Sequence, residues 1–380
     1  MQKSSSMNHC ENGSVITGQR SSTRCRRATA ARSSGVVCGV IRSTMLLGKA
    51  TRSVIQRART SSRSAANPTT AARVASPLRC RLSQETTVNG AATRAMVVGF
   101  AELRDPRLAR WIEDNVSFPS CMVDRITPET TPEERDAVVH TLGIDCRWPV
   151  ITEPFSQWVI EDDFCDGRPP LDAVGAEFVR DVRPYALAKT RLLNGSHSAL
   201  AYVGTLAGCR TASEAMGDPL LAGFVEELMD AEVAPLLPPS EVDLYAYAES
   251  LRERFANAAI ADPLERLCRN GSAKVPRHLL SSIREARTAG RPHGLLTLAV
   301  AAWCRYLRGM PGVVVDDPRA SELQALARRG VRELLADEAT FGPLGRCTRF
   351  AEAVESDVRE FDAHGVRVAL ARRLRVRAAA

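Results

Sequence analysis

The chain has 380 residues, of which 44% are hydrophobic and 25% charged, and its net charge is +7. This is the composition of a globular protein, and the length is sufficient for two domains with a sizeable core. No run approaches the roughly 18 consecutive apolar residues of a membrane span, and no apolar segment follows the basic amino terminus as in a secretory signal, so we expect a cytoplasmic protein with no membrane partner.

The first 88 residues differ from the rest in composition. They carry 15 Lys and Arg but only Glu11 and Glu85 as acids, and the first aromatic residue of the chain is Phe100. With so few large apolar side chains, residues 1–86 are expected to be disordered. Three interpretations stay open: an organellar transit peptide, a nucleic-acid-binding arm, or a sequence unrelated to the fold that follows, which we favour. Because no aromatic side chains are present for base stacking, no nucleic-acid partner is expected.

Helices and strands are predicted to alternate from about residue 89. The segment GAATRAMVVGFAEL is typical of a helix, and a second helix is predicted to begin with Asp105 as its N-cap and Pro106 at its first position. A strand is predicted within VSFPSCMVDRITP. Thr131 and Glu134 form a capping-box pattern for a third helix, which is predicted to end near Gly143. These elements indicate part of an α/β sheet.

Two β-rich runs are then predicted around Pro154, and from about Val174 onward the pattern is helical almost throughout. The predicted fold is therefore a short α/β part followed by an all-α, multihelical part. Seven cysteines lie beyond residue 100, singly and without any Cys-x-x-Cys pair, so we expect reduced structural thiols and no metal site. They are Cys121, Cys146, Cys165, Cys209, Cys268, Cys304 and Cys347.

The segment KTRLLNGSHS, residues 189–198, holds polar side chains among leucines. At about 100° per residue of α-helix, Lys189 and His197 share a face, and Asn194 flanks that face at about 140° from Lys189. A lysine among leucines is partly desolvated, which lowers its pKa and makes it a candidate general base. An amide and an imidazole nearby can hydrogen-bond the oxygen that loses the proton. The alternative is a lysine that reaches water from a helix that ends at Asn-Gly.

Four segments together resemble the mannitol dehydrogenase family, the polyol-specific long-chain dehydrogenases. KTRLLNGSHS is similar to the Lys-x4-Asn-x2-His motif of that family, and VSFPSCMVDRITP to its Val-Asp-Arg-Ile-x-Pro signature. ITEPFSQWVIEDDF resembles its Thr-Glu-Pro-Phe-x-Gln-Trp-Val block, and RLCRNGSAKVP its Arg-x-x-x-Asp-Gly-Ser-x-Lys-x-Pro segment. The resemblance runs from about residue 89 to about residue 374.

The resemblance implies a partial Rossmann-type dinucleotide-binding domain over residues 87–150 and a helical domain over residues 151–380. It implies NAD or NADP as cofactor, no metal, and a sugar alcohol, ketose or ketouronate as substrate. The roles that it implies are general base, holding of the reacting oxygen, lining of the site, and binding of the far end of the sugar chain. Their residues are Lys189 as the base, Asn194 and His197 at the oxygen, Asp124 in the lining, and Arg266 and Lys274 at the far end.

Each of these assignments has a structural alternative. Asp124 and Arg125 can form an ion pair, and Arg266 and Lys274 can be solvated surface charges. Glu153 and Trp158 are expected to pack or to pair strands rather than bind a ligand. His140 and His278 belong to no motif and are predicted at the surface.

The sequence also departs from the family pattern. No Gly-x-Gly-x-Phe turn for the cofactor pyrophosphate occurs in residues 1–86, so the cofactor-binding residues are not assigned. Glu85 and Ala186 stand where the family has an asparagine and often a glutamate. We therefore expect the first half of the nucleotide-binding domain to be missing or replaced, and a catalytically inactive member that retains the helical domain is the alternative function. The sequence determines neither the polyol nor the oligomeric state.

Overall fold

A computed structural model describes residues 89–143 and 148–378. The predictions for residues 1–86, including those for disorder and for Glu85, lie outside the described residues, as does the thiol of Cys146. In the described part, helices and a three-stranded sheet are followed by a helical half, which confirms the predicted fold class.

The three helices predicted in the α/β part are present, and two of them begin at the capping signals identified in the sequence. They are α1 (Asn89–Glu102), α2 (Pro106–Asn115) and α3 (Pro132–Leu142). The Asp105 side chain caps α2 by accepting a hydrogen bond from the backbone N–H of Arg107 at 2.9 Å. Thr131 and Glu134 form both bonds of the capping box, and Gly143 ends α3 with a left-handed φ of 63°.

The sheet consists of β1 (Cys121–Asp124), β2 (Gln157–Glu161) and β3 (Ala176–Val179). The central strand β2 is antiparallel to β1, with Asp124 opposite Gln157, and parallel to β3, with Glu161 opposite Val179. One strand prediction and one helix prediction were wrong. The run before Pro154 forms no strand, since Pro149 and Pro154 each lack the N–H that a ladder needs. Residues 176–179, predicted to be helical, instead pair with β2.

The helical half begins after β3 and consists of α-helices joined directly or by short turns. The α-helices are α4 (Arg183–Ala188), α5 (Ser196–Leu206), α6 (Ala212–Met216), α7 (Pro219–Glu227), α8 (Leu244–Ala256), α9 (Leu264–Cys268), α10 (Gly271–Val275), α11 (Ser281–Thr288), α12 (Gly294–Leu307), α13 (Ala320–Arg329), α14 (Val331–Leu335), α15 (Glu338–Phe341), α16 (Thr348–His364) and α17 (Val366–Ala378). Three π-helical segments also occur there, at Lys189–Gly195, Leu228–Val233 and Pro276–Leu280. Short 3₁₀ turns lie at Asp172–Val174, Ala234–Leu236 and Gly342–Arg346.

The main hydrophobic core surrounds α12, which packs against α5 and α16. Trp303 of α12 is fully buried beside Tyr202 of α5 and Phe341 of α15. Ile126, just after β1, belongs to the same core, so the end of β1 is anchored on the helical half. No described helix is long and apolar enough to cross a membrane. The cysteines of the described residues are free thiols.

Candidate active site

One cavity of about 290 Å³ lies between the end of β1 and the helical half. Its wall includes all six residues that the sequence marked as candidate site residues. They are Asp124, Lys189, Asn194, His197, Arg266 and Lys274. The segments that carry them are far apart in the chain, so the fold brings the separate sequence motifs to one place.

The π-helical segment Lys189–Gly195 sets the relation between the lysine and the asparagine. The sequence analysis placed Lys189 and Asn194 about 140° apart on an α-helix, but hydrogen bonds in this segment run from residue i to i+5. Residues five apart are therefore one turn apart, and both side chains line the cavity. The α-helical geometry assumed from the sequence was therefore wrong here. Single π turns are frequent at functional sites, and this one lies in the cavity wall.

Lys189 is half-buried, and its ammonium donates a hydrogen bond to the backbone carbonyl of Val123 on β1. Burial lowers the pKa of Lys189, because desolvation disfavours the charged amine. The negative charge of Asp124 opposes this shift, and the positive charge of Arg254 adds to it. The amine is thus less costly to deprotonate than an ordinary lysine, as a general base requires.

His197 is buried and stacks on Phe255 of α8, with ring centroids 3.8 Å apart and an interplanar angle of 17°. Burial, together with the positive charges of Arg266, Arg254 and Lys274, lowers the pKa of His197 to about 3. The imidazole is therefore neutral. Its Nε2 has no hydrogen-bond partner among the described residues. A buried polar atom without a partner is costly, and it marks a place where a ligand can bind.

Asp124 belongs to a buried ion network rather than to the ion pair with Arg125 that was the structural alternative. Both of its carboxylate oxygens accept hydrogen bonds from Arg254, at 2.8 and 2.9 Å, and one also accepts from the Tyr247 hydroxyl at 2.7 Å. Arg254 also bonds Glu153, with donor–acceptor distances between 2.8 and 3.2 Å. Glu153, expected to have a packing role, is thus an ionic partner in the network.

Arg266 and Lys274 lie in the cavity wall, so the interpretation as solvated surface charges was wrong. The Arg266 Nε donates to Oδ1 of the buried Asp262 at 2.6 Å, and a second contact completes a bidentate pair. Lys274 donates to the backbone carbonyl of Leu267 at 3.0 Å. Burial lowers the pKa of Lys274, and the nearby charge of Arg266 acts in the same direction.

A second cavity of about 380 Å³ adjoins the first and shares Lys189, Asn194 and His278 with it. Asn89, Cys121, Ala186 and Thr190 are among its other wall residues. The prediction that His278 is a surface residue was wrong. Burial lowers its pKa to about 4, with contributions from Lys274 and Arg277.

Lysine is scarce in this chain, and its positions are a signal that the sequence analysis missed. Beyond residue 88 the basic residues are almost all arginine, and the two lysines are Lys189 and Lys274. Both line the cavity. Arginine stays protonated, whereas a desolvated amine can lose its proton near neutral pH. Arg254, Ser198 and His278 gave no comparable signal, since their partners are distant in sequence or depend on π-helical geometry.

No group of three or more His, Cys, Asp or Glu side chains in the described part of the chain is arranged to hold a metal ion.

Two family models match the chain. The mannitol dehydrogenase Rossmann domain matches residues 61–173, and the mannitol dehydrogenase C-terminal domain matches residues 181–362. Mannitol 2-dehydrogenase of Aspergillus terreus is 47% identical over 265 residues, which are 67% of this chain and 53% of the relative. A mannitol dehydrogenase of Saccharomyces cerevisiae is 46% identical over the same shares of the two chains. The chain spans about half the length of these relatives.

Two solved structures are similar in fold and sequence. Mannitol 2-dehydrogenase of Pseudomonas fluorescens, in a ternary complex with NAD and D-mannitol, has a TM-score of 0.69 and 41% identity. The match covers 77% of this chain and 61% of that one. A substrate-free D-sorbitol dehydrogenase has a TM-score of 0.68 and 32% identity, over 74% of this chain and 60% of the other.

Proposed function

This chain belongs to the mannitol dehydrogenase family, and from that premise we propose that it interconverts a sugar alcohol and a ketose with a nicotinamide cofactor. One observation carries the proposal. Lys189, a half-buried amine with a lowered pKa, lines the same cavity as His197, a buried neutral imidazole whose Nε2 has no hydrogen-bond partner among the described residues. Together these groups can accept a hydroxyl proton and hydrogen-bond the oxygen that loses it.

In the oxidation direction, Lys189 would accept the proton of the reacting hydroxyl. Asn194 and the Nε2 of His197 would hold the oxygen, on which negative charge develops as the proton leaves. A bound nicotinamide would supply the acceptor for the hydride that leaves the carbon bearing this hydroxyl. The second cavity suits the nicotinamide end because Thr190 and Asn194 offer a hydroxyl and an amide beside the amine. NAD is favoured, because the Pseudomonas fluorescens relative was solved with NAD and D-mannitol.

An uncharged polyol is the proposed substrate class, in preference to a ketouronate. Arg266 is already paired with Asp262 and would have to be shared to bind a carboxylate strongly. Lys274 bonds only a backbone carbonyl and is available to a hydroxyl and to a carboxylate alike. The curated relatives, named for mannitol, support the same substrate class.

The test is nicotinamide-dependent oxidation of D-mannitol and D-sorbitol by the whole chain and by two variants. Lys189→Ala removes the amine, and Lys189→Arg keeps a cation that cannot act as a base at neutral pH. We expect both variants to fold and to lose at least about 100-fold in kcat, the usual contribution of a general base. Small amines added to Lys189→Ala are expected to restore part of the rate.

Three results would contradict the proposal or one of its parts. Unchanged kcat in Lys189→Arg would refute the assignment of the base. Faster turnover of a ketouronate than of ketoses would refute the substrate class. A wild-type chain that shows no saturable binding of NADH or NADPH by calorimetry would favour the alternative of an inactive family member that retains the helical domain.

A further inference from the structure

His278 lies in the π-helical segment Pro276–Leu280, and it lines both cavities. This segment closely approaches the π-helical segment Lys189–Gly195. A Cβ on Gly195 would lie only 3.1 Å from the backbone carbonyl oxygen of His278. The absence of a side chain at Gly195 therefore permits the approach that places His278 beside Ser198 and the candidate base.

The hydrogen bonds of Ser198 determine which ring nitrogen of His278 carries the proton. The Ser198 hydroxyl donates to the backbone carbonyl of Asn194 at 2.8 Å, and that carbonyl can only accept. A hydroxyl has one proton, so its 3.2 Å contact with Nδ1 of His278 must be donated by the ring. Because burial holds the pKa of His278 at about 4, the ring carries one proton at neutral pH. That proton is on Nδ1, and Nε2 is left as a hydrogen-bond acceptor.

Few of the charged side chains in the cavity wall can accept a hydrogen bond from a substrate hydroxyl. Lys189, Arg266 and Lys274 bring N–H donors to the cavity wall. The carboxylate of Asp124 already accepts from Arg254 and Tyr247. A polyol has several hydroxyl groups. Each must donate a hydrogen bond as well as accept one, since a buried hydroxyl that lacks a partner loses the bonds that it made to water.

We propose that His278 determines substrate specificity, with its Nε2 accepting a hydrogen bond from a polyol hydroxyl next to the carbon that is oxidised. The inference rests on the proposed function, because it needs a polyol in the cavity. His278 shares both cavity walls with Lys189 and Asn194, which is the reason for placing this hydroxyl next to the reacting one. Ser198 is a positioning residue, which fixes the ring and its protonation.

Two variants separate the ring nitrogens. In His278→Asn the amide lies where Nδ1 was, so it can keep the bond to Ser198 while the contact of Nε2 is lost. In His278→Gln the amide reaches the place of Nε2, and its oxygen can accept from the substrate. The kcat/KM of each variant would be measured for D-mannitol and for deoxy analogues that lack one hydroxyl next to the oxidised carbon.

We expect the wild type to prefer D-mannitol over one of these analogues by about tenfold, the value of one hydrogen bond. In His278→Asn that preference is expected to vanish, and in His278→Gln most of it should remain. Ser198→Ala frees Nδ1 from its partner, so part of the neutral rings can carry the proton on Nε2. Its preference is expected to fall between those of the other two variants. A merely structural role for His278 would lower both rates together and leave their ratio unchanged.

The outcomes distinguish this inference from the function on which it rests. An active wild type whose preference is the same in His278→Asn refutes the role of His278 alone. A wild type that neither oxidises D-mannitol nor binds it in the presence of NADH refutes the proposed function, and the inference falls with it.

Discussion

Arg254 is the residue whose loss should be most damaging to the junction between β1 and the helical half. It lies on α8 and makes five hydrogen bonds, two to Asp124 and three to Glu153. Its side chain is 7% exposed, and those of the two acids are 1% and 2% exposed. The guanidinium also lies 3.9 Å above the ring of Phe155. Almost no water can therefore replace the guanidinium if it is removed.

The expected cost of Arg254→Met follows from that burial. Breaking a buried ion pair by removing one partner costs about 3–5 kcal/mol, because the remaining charge is left desolvated. Two carboxylates would be stranded here, so we expect a loss of at least about 4 kcal/mol in the free energy of unfolding. Total stability is about 5–15 kcal/mol for a typical protein, so such a loss is a large part of the whole.

The assay is urea unfolding, with Arg252→Met as the matched control. Arg252 lies two residues earlier on α8 and pairs with Asp230, but their side chains are 23% and 31% exposed. Solvated pairs contribute about 0–1 kcal/mol, so the control should unfold almost like the wild type. Equal urea midpoints for the two variants would refute the reasoning.

The same variant tests the electrostatic coupling to the candidate base. The positive charge of Arg254 lowers the pKa of Lys189, and that of Asp124 raises it. Removing Arg254 while Asp124 stays must therefore raise the pKa of Lys189. Because the base acts when it is deprotonated, the rise of the oxidation rate with pH should move to higher pH. An unmoved profile in a variant that still folds would contradict this coupling.

Two further predictions concern packing and acid stability. In thermal melts, Gly271→Ala should lower the free energy of unfolding by about 1–3 kcal/mol, because a Cβ there would lie 2.6 Å from both the Trp303 indole nitrogen and the Tyr202 hydroxyl. Gly223→Ala in α7 is the control, where a Cβ meets nothing within 4 Å, and it should be neutral or stabilising. The pKa of His197 is lowered from 6.5 to about 3, so its contribution to stability is present above pH 6.5 and is lost as the pH falls towards 3, by up to about 5 kcal/mol. His197→Gln should then flatten the dependence of unfolding free energy on pH below 6.5, and an unchanged slope would count against a buried neutral ring.

The elements that could be predicted from the sequence are those whose signals are local. Asp105 caps α2, and the Thr131–Glu134 box begins α3, through bonds between residues two or three apart. Strand β3 was missed because only its pairing with β2 shows that its four residues form a strand. The sequence pattern of β3 alone did not distinguish it from the helices that follow.

The candidate site could also be predicted only where its signals are local. The motif residues could be found because they lie in short segments that resemble family motifs. Their arrangement depends on π-helical segments, which an α-helical periodicity cannot describe. Arg254 could not be identified at all, since its partners lie 101 and 130 residues away in the chain. A long-range ion pair leaves no periodic mark in the sequence.

The use of lysine links the composition of the chain to its chemistry. In the described part, arginine takes the ion pairs of the surface and of the core, where a permanent charge and bidentate bonding serve stability. An arginine in place of Lys189 would keep the charge and lose the ability to accept a proton. The site therefore uses two kinds of cation for two tasks, an amine in the cavity wall and a guanidinium that bonds Asp124 of that wall. Arg254 keeps its proton and holds Asp124 in place, and its fixed charge, together with burial, makes the neutral form of the Lys189 amine accessible.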